Sequence, residues 1–117
     1  MSESTLNQWK WSLGDHRDAL SRLPDHYQEI FHHGSMKLGL YAPRGKDDQD
    51  PHDQDELYFI SNGSAGFTLE DKRTDVSAGD ALFVPAGLTH RFDTMSDDFM
   101  VWVIFWGPKG GEDSHPA

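Results

Sequence analysis

The stretch Gly79-Asp80-Ala81-Leu82-Phe83-Val84-Pro85-Ala86-Gly87-Leu88-Thr89-His90 confines this chain to a narrow set of folds. It reads as a turn, a short apolar strand, a Pro-x-Gly turn and then a histidine delivered at a fixed distance. Upstream, Asp50-Pro51-His52-Asp53-Gln54-Asp55-Glu56 runs into Leu57-Tyr58-Phe59-Ile60-Ser61 and stops at Asn62-Gly63. A second histidine is thus followed by a carboxylate just as the chain enters a strand. Two histidines and a glutamate on neighbouring strands suit a divalent metal inside a small β-barrel.

The rest of the chain agrees with a barrel. From His26 onward, short strand-like runs alternate with turns: Tyr27 to His32, Met36 to Ala42, Glu56 to Ser61, Ala65 to Glu70, Thr74 to Ser77, Ala81 to Val84, Thr89 to Asp93 and Phe99 to Trp106. Many short strands of this kind predict an all-β barrel or sandwich. Before them, Ala19, Leu20 and Leu23 fall at helical spacing and Pro24 ends the pattern, which predicts a short helix. The expected organisation is an N-terminal extension over residues 1–25, a barrel over 26–112 and a tail over 113–117. Phe99 to Trp106 is apolar on both faces, so one face fills the barrel and the other must be covered by a second sheet or a partner chain. With Trp9 and Trp11 as anchors on the domain or a second subunit, this predicts a homodimer.

Composition excludes several function classes. A formal net charge of −10 on 117 residues, with no cluster of Lys and Arg, argues against nucleic acid and anionic membranes as partners. The absence of cysteine closes off disulfides, thiolate chemistry and Cys-based zinc sites. No basic leader or long apolar run is present in the sequence, and a cytoplasmic location is the expectation.

If the strand carrying Glu56 starts near Asp50, then Asp50, His52, Gln54, Glu56 and Tyr58 share one face. A glutamate facing a barrel interior needs a partner or a metal, because an isolated buried carboxylate is strongly disfavoured. Neutral imidazoles and a carboxylate suit Fe, Mn, Ni or Zn and leave positions open for a small-molecule ligand. Arg91, by parity, faces away from His90. Tyr58, Phe92, Trp102, Ile104 and Trp106 are candidates for the cavity wall, with Gln54 beside them, although core packing accounts for the aromatic and apolar ones equally well. The acidic run Asp47-Asp48-Gln49-Asp50 reads as a solvated loop.

The spacing Gly79-x5-Pro85-x-Gly87-x2-His90 resembles the second motif of the cupins, and His52-x3-Glu56 through Gly63 resembles the first. The resemblance covers roughly Ser35 to Trp106 and implies a cupin-type β-barrel or jelly roll of two antiparallel sheets, here behind a short N-terminal helical extension. It also implies that His52, Glu56 and His90 are metal ligands. Many cupins carry a further histidine two residues before His52, where this chain has Asp50. The fourth position is then open to Asp50, Gln49, Gln54 or water. The family's range implies either a metal-dependent enzyme, with a dioxygenase first in line and Tyr58 or Asp50 moving a proton, or an isomerase or lyase. A non-enzymatic module binding a sugar or organic acid is the rival reading, and a barrel with an emptied site is the bland one.

Overall fold

The computed structural model describes residues 8–113. Among the described residues one helix, α1 (Leu13–Ser21), precedes eight strands: β1 (Tyr27–His33), β2 (Met36–Tyr41), β3 (Asp55–Asn62), β4 (Ser64–Leu69), β5 (Lys72–Ser77), β6 (Ala81–Val84), β7 (His90–Asp93) and β8 (Met100–Trp106). They form two antiparallel sheets, one of order β1-β2-β8-β3-β6 and one of order β5-β4-β7. The predicted all-β barrel of two sheets is therefore present, with the short helix ahead of it. Of the N-terminal extension, residues 1–7 lie outside the described residues, as do 114–117 of the tail.

Between the sheets lies a core of Tyr41, Tyr58, Ile60, Phe67, Val84, Phe92, Phe99, Val101 and Val103 among others. Aromatic rings fill much of it: Phe92 stands 5.0 Å from Tyr58, 4.9 Å from Phe67 and 4.9 Å from Phe99, in edge or tilted contacts. Such pairs add to burial itself.

The helix answers the problem of the two-faced β8. Val101, Val103 and Phe105 point inward, whereas Trp102 points out and packs with Leu20, Leu40, Ala42 and Met100 beneath α1. Leu20 is fully buried there. The chain's own helix thus covers part of that face. Trp11 continues the cover by packing in a tilted contact on Phe31, ring centroids 4.7 Å apart, while Trp9 stays exposed. Register carries Ile104 and Trp106 to the same outer face as Trp102, with Leu57, Phe59 and Phe83 beside them. Phe59 and Phe83 remain exposed, and Trp106 sits 6.1 Å from Phe83.

This register corrects the expectation for the cavity wall. Trp102, Ile104 and Trp106 lie on the outer face, because β8 pairs with β2 and β3 so that the odd-numbered residues face in. A continuous apolar strand has no polar residue to mark its inner side, so its parity is hidden in the sequence.

Candidate metal centre

Glu56 is placed by strand register. On β3 it stands opposite Phe105 of β8 and Val84 of β6, on the inward row. His90 opens β7 on the other sheet, opposite Leu69 of β4. His52 comes from neither sheet. The strand begins at Asp55, so residues 50–54 form a loop and the expected shared face from Asp50 to Glu56 does not exist.

What holds His52 is the Pro-x-Gly turn. The Gly87 N–H donates to the His52 carbonyl at 2.7 Å, and Gly87 has φ of +85°, a conformation that favours glycine. Buried Asp55 locks the same turn, accepting from Ala86 N–H at 3.0 Å and from Glu112 N–H at 2.9 Å. The motif that delivers His90 therefore also fixes the backbone of His52.

The ligand atoms of His52, Glu56 and His90 all lie within 4.8 Å of one another. Glu56 Oε1 is 3.2 Å from His90 Nε2 and 4.0 Å from His52 Nε2. Glu56 and His90 are nearly inaccessible, at 1% and 2% exposure. Despite the closeness, both Glu56 oxygens and His90 Nε2 are buried without a hydrogen bond. His90 Nδ1 lies 2.9 Å from the Leu88 carbonyl and is the nitrogen that donates to it, so in the neutral ring the lone pair sits on Nε2. A lone pair facing a carboxylate in a dry interior needs a cation between them, either a proton or a metal. The Glu56–histidine separations of 3.2 and 4.0 Å fit ligands that each stand about 2.1 Å from a shared ion. The residues present thus fit a divalent metal.

The electrostatics agree. Burial lowers the proton affinity of His52 and neighbouring His90 adds to that, against the pull of Glu56. At His90 burial also opposes charge, but the Glu56 carboxylate and the Leu88 carbonyl outweigh it and raise the pKa.

Of the remaining candidates, Asp50 is exposed and outside the clustered ligand atoms. Gln54 is tied elsewhere, its amide donating to the Ser35 and Gly107 carbonyls at 2.9 Å each. Phe92 is core beneath the site rather than cavity wall. Tyr58 is fully buried, and its hydroxyl donates to Gln49 Oε1 at 3.0 Å. That same oxygen is 3.0 Å from His52 Nε2.

Asp47 is the residue that the sequence hides. It is 3% exposed within a run that looks like a solvated loop. Its Oδ1 accepts from Tyr41 Oη at 2.6 Å and from Gln49 N–H at 3.1 Å. Its Oδ2 accepts from the Gln49 side-chain amide and from Phe92 N–H, both at 2.8 Å. Arg91 does face away, and its guanidinium donates to the Asp47 carbonyl at 2.7 Å. By taking the nitrogen of Gln49, Asp47 turns the amide oxygen toward His52. The one signal in the sequence was an aspartate two residues before a glutamine, a spacing suited to a side-chain turn, and it is not distinctive.

The site opens into a cavity of about 810 Å³, whose wall includes Tyr27, Lys37, Tyr41, Gln49, His52 and Phe105. That size suits a small organic molecule.

A two-sheet barrel with two histidines and a glutamate converging at one mouth defines a small β-barrel with a metal-type cluster. The sequence model of the cupin domain matches residues 38–106, and the chain belongs to that family. It is similar to an uncharacterised protein, SCO3923 of Streptomyces coelicolor, with 39% identity over 85 residues, covering 71% of this chain and 81% of the other. It is also 36% identical over 78 residues to an acireductone dioxygenase of Ixodes scapularis, covering 56% of this chain but only 43% of that protein. Among solved structures, protein NMB1881 of Neisseria meningitidis superposes with a TM-score of 0.69 at 18% identity, over 85% of this chain and all (100%) of that one.

Proposed function

We propose that this cupin is a metal-dependent enzyme acting on a small organic substrate, with His52, Glu56 and His90 as ligands and Gln49 as the fourth. The observation that carries the reading is the buried Glu56 carboxylate and the bare His90 Nε2, left without hydrogen bonds in a dry site. Gln49 is preferred to Asp50 because its oxygen already lies 3.0 Å from His52 Nε2, with its nitrogen bound by Asp47.

A divalent ion held there supplies Lewis acidity toward substrate oxygens, and iron in such a site also supports dioxygen chemistry. The protein's own part is to orient and to exclude water. The Leu88 carbonyl sets the tautomer of His90, Tyr58 positions the Gln49 oxygen, and Phe105, 4.9 Å from the His52 ring, shields the centre on one side. Dioxygenase activity is the specific form proposed, supported by the partial likeness to acireductone dioxygenase. The outer patch of Phe59, Phe83 and Trp106 supports a homodimer.

Elemental analysis of the purified protein beside His52→Ala and Glu56→Ala tests the site. Near-stoichiometric iron, manganese, nickel or zinc that vanishes in both variants is the expected result. Absence of metal even after anaerobic reconstitution overturns it and leaves a metal-free ligand-binding module. Oxygen consumption with candidate ene-diols and catechols then tests the dioxygenase form.

A further inference from the structure

All three tyrosines of the chain line the cavity. Two hydroxyls are occupied by the protein, Tyr41 by Asp47 and Tyr58 by Gln49. The Tyr27 hydroxyl has no hydrogen-bond partner among the described residues. Its position depends on a glycine. Gly39 sits inside β2, where glycine weakens a strand, and its φ is not of the left-handed kind. A Cβ there would come within 2.5 Å of Tyr27 Oη and 2.7 Å of its Cε1. The glycine thus serves close approach: it lets the phenol ring lie across β2 on the inward row shared with Val103 and Tyr58.

Two residues along the same face of β2 stands Lys37, opposite inward-facing Phe105, which in turn stands opposite Glu56. Residues at this spacing are roughly 7 Å apart, within reach of one ligand group. Lys37 has no ion pair among the described residues. The other cations of the cavity wall are engaged, Lys46 with Asp48 and Arg44 with the Pro43 and Phe99 carbonyls.

We infer that Tyr27 and Lys37 form a second, metal-independent anchor in the cavity, which takes the carboxylate of a small organic acid. A free ammonium can only donate and a free hydroxyl beside it can donate as well, so together they match an acceptor carrying negative charge. Burial, and then the carboxylates of Glu29, Glu56 and Asp25, push the Tyr27 pKa up to about 12, which keeps it a donor at neutral pH. Asp48 pairs with Lys46, while Asp25, Glu29, Asp50 and Asp53 are exposed, so solvent weakens their repulsion of a ligand carboxylate. The inference rests on the metal-site reading only for what holds the other end of the ligand.

Calorimetric titration of the Ni²⁺-loaded protein with malonate, succinate and glutarate, and with their diamides, tests it. At least one acid is expected to bind about tenfold more tightly than its diamide, and Tyr27→Phe and Lys37→Gln each to remove about tenfold while Ni²⁺ affinity stays unchanged. Gly39→Ala is expected to act like Tyr27→Phe by displacing the ring. Equal or absent binding of acid and diamide, or unchanged affinity in Tyr27→Phe and Lys37→Gln, overturns the inference. Failure of Ni²⁺ to bind overturns the metal reading alone, and the same comparison on the metal-free protein then decides the anchor.

Discussion

Two carboxylates are buried within the same barrel and are treated in opposite ways. Asp47, 3% exposed, receives four hydrogen bonds and needs nothing more. Glu56, 1% exposed, receives none and faces a histidine lone pair. Burying a carboxylate is tolerable when its charge is met, so the first is a structural joint and the second awaits a cation. The joint exists to serve the site, because Asp47 aims Gln49 at His52.

If that contrast is right, removing Asp47 costs the most. Asp47→Ala strands Tyr41 Oη, Phe92 N–H and the Gln49 amide, and is expected to lower stability by about 3–5 kcal/mol in urea unfolding. A loss under about 1 kcal/mol would break the comparison on its structural side. Next comes metal. Divalent ion at a hundredfold excess over its Kd is expected to stabilise the unaltered protein by about 2.7 kcal/mol, and to do nothing for Glu56→Gln, read as the shift in thermal midpoint.

In metal-free protein the same Glu56→Gln change is expected to be harmless or to add about 1 kcal/mol, since it removes an uncompensated buried charge. A clear destabilisation would make Glu56 structural after all.

The pH response sharpens the point further. In metal-free protein the lowered pKa of His52 costs stability as pH falls through 6.5, where the unfolded chain binds a proton that the folded one refuses. The raised pKa of His90 acts the other way: its contribution is complete below 6.5 and is lost as pH rises through the folded value. The two oppose, so metal-free stability is expected to vary little around neutral pH. The metal-dependent increment requires both rings neutral and is expected to shrink on acidification, beginning above 6.5 because His90 holds its proton more firmly. Melting curves with and without metal across that range read both effects.

The smallest effect belongs to the exposed pair Arg73–Asp93, 2.6 Å apart. Arg73 holds the Asp93 carboxyl below its usual range, so its small contribution is present above that range and fades as pH drops through the folded value. Asp93→Asn is expected to change the neutral-pH midpoint less than any substitution above.

The legible part of the molecule lay in short-range spacing. Pro85-x-Gly87-x2-His90 needs only turn chemistry to carry His90 to its place, and Asn62-Gly63 and Gly79 end strands where the sequence says they end. What failed was reasoning that assumed a regular strand. His52 was assigned a face by parity from Asp50, yet it sits on a loop and is set by a hydrogen bond from Gly87, thirty-odd residues later. Trp102, Ile104 and Trp106 read as candidates for the cavity wall, but nothing local distinguishes the two faces of Met100–Trp106.

By itself, then, the amino-acid order determined the strand-and-turn pattern, the all-β class and the identity of the clustered groups His52, Glu56 and His90, because each depends on residues a few positions apart. Tertiary structure alone decided which face of β8 looks inward, that α1 covers part of the other, that Asp47 is buried, and that Gln49 rather than Asp50 lies beside His52. Those outcomes depend on contacts between segments far apart in the chain, such as Asp47 with Phe92 and Gly39 with Tyr27, and no local pattern encodes them.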